Sequence, residues 1–174
     1  KAKFSSSYVF EETPEIFHRI INKNYKKIKK YLGKNFLYEK PICFRNFHCP
    51  PDFTNYDIYS NIWHQDSHDG NRLLKIFVLV QDVTHDDGPF HFLDENDVKK
   101  HWPKLRERWT WDKFQEKPHF KEEQILIGKK NDYLILDSSR CMHRASNPKD
   151  YRDLIQITLY PSWRKKVDRE RYRS

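Results

Sequence analysis

A chain of 174 residues with 37% hydrophobic and 16% aromatic content and only four glycines can bury one core, and it lacks the composition of a disordered segment. The formal net charge of +8 points toward polyanions, but the Lys and Arg residues are scattered and no nucleic-acid motif accompanies them, so nucleic-acid binding is not expected. No apolar run is long enough to span a bilayer and none has signal-peptide form, while Cys43, Cys49 and Cys141 make neither a disulfide framework nor a Cys-x-x-Cys site, which suits a reducing, cytoplasmic setting.

In chain order, Thr13 and Pro14 are expected to open a helix, Thr as N-cap and Pro at the first helical position. Phe17, Ile20, Ile21, Tyr25, Ile28, Tyr31 and Leu32 recur at helical spacing, and Gly33 supplies the stop. Lys26, Lys27, Lys29 and Lys30 fall mostly off that stripe, so this helix is expected to lie on the outside of a sheet with a wet lysine face. Pro41 to Phe47 and Asp57 to Trp63 read as strands around the turn-rich Cys49-Pro50-Pro51-Asp52. Leu73 to Gln81 is apolar almost throughout, as in a strand buried on both faces. Lys75 inside that run must either reach a wet mouth or meet an anion.

Thr84 to Pro89 is a turn, and 94 to about 111 looks helical, interrupted at Pro103. Ile125–Ile127 and Tyr133–Leu136 read as a strand pair around the turn Gly128-Lys129-Lys130-Asn131, and Leu154–Tyr160 as the last strand. The expected organisation is one domain over 1–174: helical support in 1–40, a β-barrel core in 41–161 with a helical insert at 94–120 that serves as a lid or faces substrate, and a basic tail in 162–174.

The densest chemistry lies in Trp63-His64-Gln65-Asp66-Ser67-His68-Asp69. On a strand, residues two apart share a face, so His64 and Asp66 project together. A second imidazole from far along the chain would complete two His and one carboxylate with coordination positions left open, the set found in non-haem Fe(II) oxygenases. His143 is the candidate, because a rolled barrel returns late strands beside early ones. His68 and Asp69 are rivals from the same stretch, although Gly70 nearby suggests that a turn has begun. Arg152 starts the alternating run Arg152, Leu154, Gln156, Thr158. Aimed inward, its charge needs an anion, for which a carboxylate held by the planar guanidinium is the natural choice; aimed outward, it would pair with Asp150 or Asp153.

The ordered set His64-Gln65-Asp66, Gln81-Asp82-Val83-Thr84 with Gly88-Pro89-Phe90, His143 and Arg152 resembles the phytanoyl-CoA dioxygenase-like branch of the Fe(II)/2-oxoglutarate-dependent oxygenases, over roughly Asp57 to Pro161. The resemblance implies a mainly β fold with flanking helices, a double-stranded β-helix of jelly-roll or cupin-like form. It implies Fe(II) on His64, Asp66 and His143, with Arg152 on the far carboxylate of 2-oxoglutarate and O2 as co-substrate. Succinate and CO2 would be co-products of hydroxylating a small or carrier-attached metabolite, anionic or amphipathic in character. Relatives place a small hydroxylated residue two positions after the distal His. Here that position is Ala145, which makes Ser146, with Lys75, the further candidate for cosubstrate binding. A carboxylate at Asp66, where related halogenases have a small residue, favours hydroxylation or desaturation. Two other classes remain open on the sequence: a cupin-type metalloprotein that does not use 2-oxoglutarate, and a non-enzymatic barrel with a polyanion-binding surface.

Overall fold

The computed structural model describes residues 5–50, 63–66, 72–101 and 123–164. The helical stripe forms α1 (Glu15–Leu32), which buries Phe17, Ile20, Ile21, Ile28 and Leu32. These side chains pack on Leu74, Ile76 and Val78 of β4 (Leu74–Leu79) and on Ile155, Ile157 and Leu159 of β9 (Tyr151–Pro161). Each such side chain taken from water contributes on the order of 1.5–3 kcal/mol, which holds the helix to the sheet. Lys26, Lys27, Lys29 and Lys30 are exposed, as the stripe predicts. The start differs from expectation by one residue: Pro14, not Thr13, is the N-cap, with no side-chain cap bond, and its carbonyl accepts from Phe17 N at 3.0 Å. Gly33 ends the helix at φ 105°, donating to the Lys29 carbonyl.

β9 is the spine of the larger, six-stranded antiparallel sheet. It pairs with β3 (Ile42–Phe47) along its first half and with β2 (Phe36–Tyr38) at its end, while β4 runs along its other side. β1 (Ser5–Val9) adds to β3, and β7 (Tyr133–Leu136) to β4. The smaller sheet has the order β6 (Gln124–Leu126), β5 (Phe90–Leu93), β8 (Met142–Ala145). Alternation along β4 serves both layers. Leu74, Ile76 and Val78 face α1, whereas Phe77 and Leu79 join Phe90, Phe92, Leu136 and Leu154 between the sheets. Buried on both faces, β4 is the apolar run its sequence describes.

Two expectations need correction. The first forty residues hold two strands, β1 and β2, besides the helix; neither was foreseen, because β1 is exposed throughout and β2 has three residues, so neither carries a burial pattern. Ile125 and Tyr133 do not belong to a shared hairpin: β6 pairs with β5 and β7 with β4, so the connection between them crosses from one sheet to the other. Of the 94–120 insert, α2 (Glu95–His101) is seen and 102–120 lies outside the described residues, as do 57–62, His68 and Asp69. No helix among the described residues is long and apolar enough to cross a membrane.

The turn between β4 and β5 is built in detail. Thr84 caps the short 3-10 turn His85–Asp87, with Asp87 accepting from the Thr84 backbone N–H and hydroxyl at 2.8 and 2.6 Å. Gly88 follows at φ 67°, and a Cβ there would lie 2.5 Å from Pro148 N and 2.6 Å from Ser146 O, both backbone atoms. Gly88→Ala is therefore expected to destabilise the protein by about 2 kcal/mol or more. Denaturant unfolding checks this; a change under about 0.5 kcal/mol would contradict the packing described.

Candidate metal centre

The segment 63–66 pairs with β8 at the edge of the small sheet. His64 and His143 exchange both backbone hydrogen bonds, each at 3.0 Å, in an isolated antiparallel bridge. Asp66 N donates to Ser138 O and Gln65 Nε2 to Arg140 O, both at 2.9 Å, so the turn from β7 to β8 anchors the segment. Gln65 is spent on that anchor, and His64 and Asp66 flank it on the side of β8 that carries His143. One ligand-capable atom from each of His64, Asp66 and His143 lies within 4.8 Å of the others. His64 Nε2 is 3.9 Å from Asp66 Oδ1, and His143 Nε2 is 3.4 Å from Asp66 Oδ2. The two rings lie 4.3 Å apart between centroids, and Phe90 stacks on His143 at 5.3 Å.

Tautomer and charge are set by neighbours. His143 Nδ1 sits 3.2 Å from the Cys141 carbonyl, an acceptor only, so Nδ1–H donates there and Nε2 is the nitrogen that faces Asp66 and would turn its lone pair to a bound metal. Burial pushes the Asp66 carboxyl up, but the His143 ring and the Lys75 ammonium outweigh it and hold Asp66 well below the usual carboxylate range. Lys75 Nζ lies 2.9 Å from Asp66 Oδ2. The ion meeting Lys75 is thus an internal carboxylate. Oδ2 is buried without a hydrogen bond of good angle, so the contact with Lys75 is one of charge and leaves the lone pairs poorly satisfied. Two buried imidazoles and a carboxylate whose Oδ2 is buried and under-satisfied fit a divalent transition metal. Burial pushes the Cys141 thiol up to about 12, which keeps it a packed neighbour rather than a nucleophile.

The same cluster opens into a cavity of about 160 Å³ between the two sheets. Arg152, Leu154 and Gln156 line it from β9, Lys75 and Phe77 from β4, Phe44 and Asn46 from β3. Arg152 is 3% exposed and points inward; the outward alternative fails because Asp153 is taken by Arg45 at 2.7 and 2.6 Å. Arg152 Nη1 donates to the Gly88 carbonyl, Nε is buried without a partner, and no carboxylate among the described residues pairs with it. Burial pushes this guanidinium down to about 10. The turn at Gly88 and the strand start at Arg152 are therefore in direct contact.

The structure brings together His64, Asp66, His143, Arg152 and Lys75, but not Ser146. That hydroxyl lies 2.8 Å from His91 Nε2 and 3.2 Å from the Pro89 carbonyl, and Ser146 is not part of the cavity lining, which ends at Ala145. On the same side Glu123 joins His91 Nδ1 at 2.5 Å and Arg144 at 3.2 Å. Asn46 is a lining residue not singled out from sequence. Its buried side chain stands in register opposite Arg152, and its spacing of two from Phe44 in a predicted strand was the available signal.

No family model matches the chain, and no curated protein matches it in sequence. Solved structures do match. HygX from Streptomyces hygroscopicus with nickel and 2-oxoglutarate bound has a TM-score of 0.55 at 10% identity, covering 92% of this chain and 71% of that one. The same protein with nickel, 2-oxoglutarate and hygromycin B bound gives 0.55 at 12%, with the same coverage. EvdO2 from Micromonospora carbonacea var. aurantiaca complexed with 2-oxoglutarate gives 0.52 at 14%, over 88% of this chain and 66% of that one. The fold is a double-stranded β-helix. Identities this low carry the fold and no more.

Proposed function

We propose that this chain is an Fe(II)- and 2-oxoglutarate-dependent oxygenase acting on a small molecule. The observation that carries the reading is Arg152: a buried guanidinium without a carboxylate partner among the described residues, in the same cavity as a two-His, one-carboxylate cluster. Leaving a charge there is costly unless an anion arrives. 2-Oxoglutarate offers what both ends ask for, a keto acid to chelate a metal and a far carboxylate for a planar fork of donors. HygX and EvdO2 hold 2-oxoglutarate in the same fold, and one HygX structure holds iron, which supports the assignment.

His64, Asp66 and His143 would hold the iron, which when bound supplies O2 activation and oxidation of a C–H bond. The chain's own residues do the rest. The Cys141 carbonyl fixes the His143 ring by holding its Nδ1–H. Lys75 keeps Asp66 ionised and aimed at the cluster. Arg152 anchors the cosubstrate, and Phe77, Phe90 and Leu154 exclude water around it. Asp66 leaves no room for a halide, which favours hydroxylation or desaturation.

Within this class the His64-x-Asp66, Asp82-Val83-Thr84, Gly88-Pro89, His143, Arg152 order supports the phytanoyl-CoA dioxygenase-like branch, and the contact of Arg152 with the Gly88 carbonyl gives that spacing a physical basis. The free thiols of Cys43, Cys49 and Cys141 suit a cytoplasmic setting. The test is succinate formation from 2-oxoglutarate with Fe(II) and O2. Slow formation is expected even without substrate, lost in Asp66→Ala; a wild-type rate no greater than that of Asp66→Ala would overturn the proposal.

A further inference from the structure

A second cavity, of about 460 Å³, lies where the C-terminal end of α1 meets the end of β9, and among the described residues it shares no lining residue with the cavity around Asp66. Of the described residues, three cations, Lys30, Arg72 and Arg140, line it, and no carboxylate does. Arg140 pairs through Nη1 with Glu95 at 2.6 Å. Arg72 lies over the Tyr31 ring at 5.1 Å and donates to the Tyr31 carbonyl at 3.2 Å. Neither Arg72 nor the exposed Lys30 has a carboxylate partner among the described residues. Trp163, 66% exposed, forms another wall and is the most exposed large hydrophobic residue among those described.

A helix C-terminus ordinarily repels anions through its orphan carbonyls. Here the Lys29 carbonyl is taken by Gly33 N at 2.9 Å and the Tyr31 carbonyl by Arg72, so the cations dominate the groove. A planar guanidinium and an ammonium lining one groove match a phosphate, and an exposed indole face offers a stacking partner to a flat ring. The volume is that of an ordinary small-molecule site.

We propose that this groove binds an organic phosphate carrying a flat ring, the phosphate between Lys30 and Arg72 and the ring on Trp163. The wall formed by Arg140 is continuous with the metal centre, since the Arg140 carbonyl holds Gln65 between His64 and Asp66. A ligand here leans on the turn that anchors the cluster. Binding itself requires neither metal nor 2-oxoglutarate, so the inference stands apart from the oxygenase reading.

Isothermal titration of the full chain with phenyl phosphate, phenol and inorganic phosphate tests it. Phenyl phosphate is expected to bind one site at least about tenfold tighter than either of the others. Arg72→Gln and Lys30→Gln should each weaken it about tenfold, and Arg72→Lys less. Trp163→Ala should erase its advantage over inorganic phosphate, and Arg152→Gln should change nothing. All three positions are at the surface of the groove, so these variants are expected to fold. The proposal is overturned by absence of saturable binding, by equal affinity for phenyl phosphate and inorganic phosphate, or by sensitivity to Arg152→Gln rather than Arg72→Gln.

Discussion

Arg152→Met is expected to raise the dissociation constant for 2-oxoglutarate about 100-fold or more and, at the same time, to make the ligand-free protein more stable by about 1–2 kcal/mol. Both effects have one cause. The guanidinium is buried to 3% exposure with its Nε unpaired, and among the described residues only the Gly88 carbonyl compensates it. Removing it relieves the desolvated charge, while the methionine stem fills much of the same space beside Leu154 and Phe44. The sign follows from the direction of the shift. A cation whose folded value is pushed down from the ordinary guanidinium range to about 10 costs stability throughout the range below about 10. The cost fades only as pH rises from there toward the ordinary guanidinium value, so the full penalty is present at neutral pH. Calorimetric 2-oxoglutarate affinity on the metal-loaded protein and denaturant unfolding of the metal-free protein check the two halves. A variant that loses stability and keeps its affinity would mean that Arg152 is a structural residue.

His143→Ala is expected to lower Fe(II) affinity about 1,000-fold or more, with Asp66→Ala close behind, in anaerobic calorimetric titration. The bridge between 64 and 143 is made by backbone atoms alone, so truncating the imidazole leaves it in place. His91→Asn provides the contrast. His91 sits on the adjacent strand, but its ring nitrogens are spent on Glu123 and Ser146, so metal affinity should change by less than about threefold. Equal loss in His91→Asn and His143→Ala would show that the effect comes from the small sheet as a whole and not from ligation.

How much of this was legible follows from what each residue's signal depended on. The spacing of His64 and Asp66 is local, a matter of two residues along extended chain, and the structure keeps it. His143 was harder, since its pairing with His64 comes from barrel closure; what made it readable was its place between predicted strands. Lys75 and Arg152 announced themselves as charges inside alternating apolar runs, and both point into the cavity. Ser146 lies outside the cavity lining because the inward alternation of β8 runs His143, Ala145 and leaves Ser146 on the other face, where its hydroxyl meets His91. The helix was legible from its stripe, because five buried side chains fix its face; its first residue was not, because the cap is one hydrogen bond wide. β6 and β7 looked like a hairpin because sequence proximity is the default for antiparallel strands, and only closure of two sheets separates them.

The central claim is that His64, Asp66 and His143 hold a metal facing the carboxylate-binding Arg152. The most direct measurement is anaerobic titration of Fe(II) into the purified protein with and without 2-oxoglutarate, followed by visible absorption. The account predicts a weak charge-transfer band that appears only when metal and 2-oxoglutarate are both present, is lost in His64→Ala and is much weakened in Arg152→Ala. Iron that binds without any band on adding 2-oxoglutarate would contradict the cosubstrate assignment, and failure to bind iron at all would contradict the metal centre itself.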